Sequence, residues 1–101
     1  MTKWADYCIF AVRVNTHRTH IDRVQAFPDK SDSFGTAVEF SRLDVVAAIK
    51  RGTTFVTVFK GADGNYKLGN AVFIVLINGS EYIKTVTDNT PVDNLDNLPE
   101  F

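Results

Sequence analysis

Cys8 is the single cysteine in 101 residues, so the chain cannot form an internal disulfide. The missing bridge framework points to a reducing compartment, and the cytoplasm is the expected location. Long apolar runs are missing too. No segment reaches the ~18 consecutive apolar residues that a membrane span requires, and Met1-Thr2-Lys3-Trp4-Ala5-Asp6 lacks the apolar core of a secretion signal. Basic residues are scarce in the second half. Residues 53–101 carry three Lys/Arg against six Asp/Glu, and residues 88–101 carry four acids and no base. Duplex nucleic acid is held through a basic footprint, so this distribution argues against it as a partner.

What remains is an ordinary globular composition, 45% hydrophobic and 23% charged, with a net charge of −1. A chain of this size can bury a core without staples. Tyr7 to Val14 reads as a strand with Cys8, Phe10, Val12 and Val14 on one face by period-2 alternation. His20 to Phe27 resumes extended structure, but Ile21 and Val24 fall on opposite faces, as a bulge or an edge position would produce. Phe34 to Phe40 adds a short strand.

Ser41 opens the one helix. Ser41-x-x-Asp44 is a capping-box variant. Leu43, Val46, Ala47 and Ile49 form a narrow apolar stripe, and Gly52 is placed for a left-handed cap. Thr53 to Lys60 is β-branched and aromatic, hence a strand. Gly61 to Asn65 is a turn. Ala71 to Ile77 is a continuous apolar run that reads as a central strand buried on both faces. Asn78-Gly79 then makes a type I′ hairpin to Ser80–Val86. The expected fold is α+β: an antiparallel, strongly twisted sheet of five to six strands packed on one helix, in the order β-β-(β)-α-β-β-β. Residues 1–87 form the body and residues 88–101 an acidic tail.

The tail places apolar residues at regular spacing in Asp93-Asn94-Leu95-Asp96-Asn97-Leu98-Pro99-Glu100-Phe101. Leu95, Leu98 and Phe101 would act as anchors. Asp93 and Asn94 would make side-chain-to-backbone turns that aim them, with Pro99 stiffening the segment. Burying three such side chains returns roughly 1.5–3 kcal/mol each. Ordering the backbone costs about 1–2 kcal/mol per residue. A docked tail must therefore also pair its backbone with the body or with a neighbouring subunit.

Trp4-Ala5-Asp6-Tyr7, His20-Ile21-Asp22-Arg23-Val24, Ile49-x-x-Gly52-x-x-Phe55-x-Thr57 and the terminal Asp-Asn-Leu-x-x-Leu-Pro pattern, which follows Tyr82-Ile83-Lys84-Thr85, together carry a resemblance. The chain resembles a family of small bacterial proteins grouped as a domain of unknown function. That resemblance implies an α+β domain and carries no chemistry with it.

The residues themselves give little purchase to catalysis. His17 and His20, with Asp22, span a turn and a strand start and make no standard metal-ligand pattern. Cys8 shares a predicted face with Phe10 and Val12, where a thiol behaves as a small hydrophobe. Gly61-Ala62-Asp63-Gly64-Asn65 matches neither a phosphate loop nor a calcium loop. No cofactor is implied. A hydrolase or transferase would have to bring Asp22, Asp63 and Asp93 together with the histidines. Arg13, Arg18, Arg23, Arg42, Lys50, Arg51 and Lys60 with Trp4, Tyr7, Tyr66 and Tyr82 suggest an aromatic-basic platform for single strands. No pattern of aromatics on adjacent central strands supports it.

The expectation is a non-enzymatic binding or protein-interaction module, self-associating through a sheet edge or the tail. The alternative is a small-ligand or nucleotide sensor with a polar pocket at the sheet edge. Its candidate residues are Arg13, His20, Arg23, Lys84 and Asp93.

Overall fold

Strand β1, Tyr7–Val14, is the spine of the molecule, and the rest of the fold follows from what pairs with it. The computed structural model describes residues 3–17, 20–30, 33–85, 93, 95 and 98–101. β2 (Ile21–Pro28) and β3 (Val38–Ser41) follow β1, then helix α1 (Arg42–Lys50), then β4 (Phe55–Lys60), β5 (Tyr66–Ala71), β6 (Phe73–Ile77) and β7 (Ser80–Lys84). The fold is α+β, with one helix and a five-stranded sheet in the order β3-β2-β1-β4-β5. β6 and β7 form a separate two-stranded sheet.

The all-antiparallel expectation needs correction. β1 and β4 run parallel over Tyr7–Ile9, because α1 lies between β3 and β4 and returns the chain in the same direction as β1. The run from Ala71 to Ile77 is not a central strand. It breaks at Val72, whose amide donates to the Phe55 carbonyl at 2.9 Å, and continues as β6 in the separate hairpin. Leu76 there is 68% exposed. The unforeseen β5 occupies the segment before that break. Asn78 and Gly79 both take positive φ, 50° and 82°, as a type I′ turn demands.

Two bulges set which side chains meet. Ile9 pairs with Ala26 and Ala11 with Gln25, so Phe10 is an extra residue in β1. Alternation therefore flips within the strand. Ile9 and Val12 enter one buried cluster, whereas Cys8 and Phe10 belong to another. The expected single face of Cys8, Phe10, Val12 and Val14 does not exist. In β2, Arg13 pairs with Arg23 and Val14 with Ile21, leaving Asp22 as the extra residue. That bulge puts Ile21 and Val24 in the same core, as their irregular spacing had suggested.

The main core lies between one face of the sheet and α1. It contains Ile9, Val12, Val24, Val45, Val46, Phe55 and Ile83. The helix ends follow the sequence closely. Ser41 accepts from the Asp44 amide at 3.1 Å, and the Asp44 carboxylate accepts from the Ser41 amide at 3.4 Å. Gly52, at φ 97°, donates to Ile49 and Thr53 donates to Ala48, which completes a Schellman cap. The apolar stripe is rotated from the expected one. Val45, Val46 and Ala48 are buried, while Leu43 is 74% exposed and Ala47 is exposed.

Leu95 and Leu98 lie in the main core of the same chain. The Val12 amide donates to the Pro99 carbonyl at 2.9 Å, and the Phe101 amide donates to the Val12 carbonyl at 3.0 Å. One edge of β1 is thus divided. β4 takes its first half, and a short parallel bridge from Glu100 takes Val12. Asn94 lies outside the described residues.

Candidate functional site

The face of the five-stranded sheet opposite α1 carries the second, smaller cluster of Ala5, Cys8, Val56 and Val58. Among the described residues no helix or strand packs over it. It is roofed instead by aromatic side chains. Phe10 stacks on Phe27 with ring centroids 4.3 Å apart, and Phe27 stacks on Phe34 at 5.4 Å. Tyr66 meets Phe27 edge-on at 5.4 Å, and Trp4 approaches Phe34 at 6.0 Å. Trp4 and Phe34 remain 39% and 37% exposed. β1 and β2 are adjacent inner strands, so aromatics do stand side by side on central strands, contrary to the sequence reading. The bulge hides this. Strict alternation groups Phe10 with Val12, and only the extra residue turns its ring to the other face.

This aromatic face is held from below. Asp29 Oδ2 accepts from the Trp4 amide at 2.6 Å and lies 3.9 Å from the Cys8 thiol. Asp6 accepts from the Thr54 amide at 2.9 Å. That bond, with Lys3, keeps the Asp6 carboxyl below its ordinary pKa. Burial, aided by the Asp29 charge, pushes the Cys8 thiol up to about 12. The sulfur therefore stays protonated and inert, as its apolar surroundings require. Beside Trp4 a cleft of about 410 Å³ opens between the end of α1 and β4, walled by Ile49, Phe55 and Val72, with Thr53 and Thr54 as its hydroxyl-bearing residues.

Arg13 and Arg23 pair across β1 and β2 at the far end of the same face. Each is already engaged. Arg13 Nε donates to the Phe101 carbonyl at 3.0 Å, with its guanidinium 4.7 Å from the Phe101 ring centre. Arg23 is ion-paired with Glu39.

The other residues proposed from sequence lie elsewhere. The Asp93 side chain is fully buried beside the N-terminal end of α1. Its Oδ2 accepts from the Ile21 amide at 2.8 Å and from Arg42 Nε at 2.7 Å. Its Oδ1 accepts from the Ile83 amide at 2.9 Å and from Arg42 Nη2 at 3.1 Å. Arg42 Nη2 also donates to the Glu81 carbonyl. The hydrogen bonds that Arg42 donates to Asp93 raise the Arg42 pKa above its ordinary value. His20 stacks on Tyr82 at 5.6 Å, and its Nδ1 sits 3.7 Å from Asp93 Oδ2. Lys84 is fully buried in β7.

The five sensor candidates therefore divide. His20 and Asp93 come together, Arg13 and Arg23 come together on the opposite face, and Lys84 is enclosed. Arg42 and Tyr82 complete the Asp93 cluster, and nothing in their local sequence distinguishes them from ordinary helix and strand residues. The carboxylates considered for catalysis also separate. Asp22 sits on the β2 bulge, and Asp63 binds Asn65 and Lys67 in the turn between β4 and β5. Among the described residues no group of three or more potential metal ligands converges. Among the described residues no helix is long and apolar enough to cross a membrane.

Fold and site define a small α+β protein with one sheet face covered by a helix and the other surfaced by aromatics. The chain belongs to the family described as Protein of unknown function (DUF3892), whose model matches residues 8–99. No curated protein and no solved structure matches it.

Proposed function

We propose that the protein is a non-enzymatic interaction module of the bacterial cytoplasm that binds a protein partner on the helix-free face of its sheet. The observation carrying this reading is the contiguous set of Trp4, Phe10, Phe27, Phe34 and Tyr66 on that face. Aromatic side chains flanked by arginine are what the energetic centres of protein interfaces use. Here Arg13 and Arg23, each held by a partner within the chain, border the face. The partner offers apolar and aromatic side chains.

The ring geometry favours protein over single-stranded nucleic acid. Base stacking needs a ring face turned to solvent. Phe27 instead is stacked by both Phe10 and Phe34, at interplanar angles of 20°, and the remaining rings meet one another tilted or edge-on. The sensor alternative has weaker support. Its five candidates are divided between the Arg13–Arg23 pair on one face, the His20–Asp93 pair on the other and the enclosed Lys84.

A photo-crosslinking side chain at residue 34 tests the proposal in cells. It should yield a discrete protein adduct that the same group at the exposed helix position 43 does not. Adducts to nucleic acid, or none specific to residue 34, would remove the reading. A thermal shift with nucleotides in large excess should leave the melting point unchanged, because a ligand of the native state must raise it. A clear rise would favour the sensor.

A further inference from the structure

The β6–β7 hairpin leaves its two edges in different states. Counting outward from the Ile77–Ser80 pair at the turn, Glu81 and Ile83 are the β7 residues whose backbone groups point away from β6. Both are engaged: the Glu81 carbonyl accepts from Arg42, and the Ile83 amide donates to Asp93. The Arg42–Asp93 ion pair thus serves β7 in place of a neighbouring strand. The same register turns the amides and carbonyls of Ile74 and Leu76 outward on β6. Among the described residues no strand pairs with that side.

The other outer strands, β3 and β5, also differ from β6 in chemistry. β3 is four residues long and carries Glu39, and β5 carries Lys67 and Gly69. Charge, glycine and shortness are the usual devices that keep an edge from pairing. β6 is Phe-Ile-Val-Leu-Ile, with none of them, and its Leu76 is 68% exposed.

We propose that β6 pairs antiparallel with β6 of a second copy of this chain about a two-fold axis at Val75. The argument for a second copy is self-complementarity. An uncharged strand meets itself without like-charge repulsion. Centring on Val75 places Ile74 opposite Leu76 of the partner, so the outward amide and carbonyl of each find a mate. Val75 then faces its own counterpart in a non-hydrogen-bonded pair. The exposed Leu76 side chain is covered by Ile74 of the other copy. Two-stranded hairpins are marginal in water, and this pairing joins two of them into one sheet running β7-β6-β6-β7. The proposal is independent of the aromatic face, which lies on the other sheet.

Light scattering of the full chain over a wide concentration range should show a dimer. Leu76→Lys, which places a charge on the edge without removing a β7 bond, should return a folded monomer. Val75→Cys should cross-link two chains under mild oxidation far faster than Leu43→Cys, because the Val75 side chains would lie directly opposite each other. A native chain that stays monomeric overturns the proposal, as does a dimer indifferent to Leu76→Lys. Equal cross-linking rates at positions 75 and 43 also overturn it, and that comparison stands even where Leu76→Lys fails to fold. Photo-crosslinking at residue 34 reads the other surface, so the two proposals fail separately.

Discussion

Asp93 spends both carboxylate oxygens on groups that would otherwise be orphaned: two strand amides and the Arg42 guanidinium. Asp93→Asn replaces one acceptor with a donor aimed at donors and strands a partly buried cation. Removing one partner of a buried pair costs about 3–5 kcal/mol. With the Arg42 side chain 20% exposed, the lower end applies, about 3 kcal/mol. Urea unfolding should show the fall in midpoint at unchanged slope. Cys8 is shielded from reagents in solution. Its thiol is fully buried and held at about 12, so a thiol reagent should label the native protein only through opening. A thiol whose pKa is higher in the folded than in the unfolded chain favours the folded state while protonated. The contribution is fully present below the unfolded thiol's pKa, near 8.5, and is lost as pH climbs from there toward 12. Cys8→Ala should flatten that alkaline decline. Native labelling at the rate of a free thiol would contradict the buried assignment. In the sequence Asp93 was visible as a polar residue before an apolar spacing. Its true partners were not, because they come from α1, β2 and β7.

At the level of elements, local chemistry was legible and strand faces were not. Ser41, Asp44 and Gly52 announce both ends of α1, and Asn78-Gly79 announces the hairpin, because each signal is complete within a few residues. The β1 alternation misled because a single extra residue, Phe10, moves everything after it to the other face. The helix stripe was misplaced for a different reason. Leu43 fits an apolar period as well as Val45 does, and only the packed sheet decides between them. Leu95 is 1% exposed within the main core, so Leu95→Ala should cost about 2–5 kcal/mol through lost burial and the cavity left behind. Thermal unfolding should show the shift. A change below about 0.5 kcal/mol, the range of ordinary surface substitutions, would mean that Leu95 does not fill the core.

For the molecule as a whole, the class was readable and the topology was not. Strand-like runs on either side of one well-capped helix suffice for α+β. The parallel β1–β4 pair and the separate β6–β7 sheet depend on contacts between residues far apart, which no short window contains. The aromatic face shows the same limit. Trp4, Phe10, Phe27, Phe34 and Tyr66 are scattered in sequence, and only sheet order and the β1 bulge bring them together. The resulting division of labour is clear. One sheet face is filled by α1 and by Leu95 and Leu98, while the other keeps partly exposed rings.

The split edge of β1 also bears on how the chain is made. Val12 leaves the ribosome well before the Pro99 carbonyl and Phe101 amide that complete it are translated. A nascent protein must therefore carry its spine half-zipped until translation has moved past those positions, a window in which chaperones have most to protect.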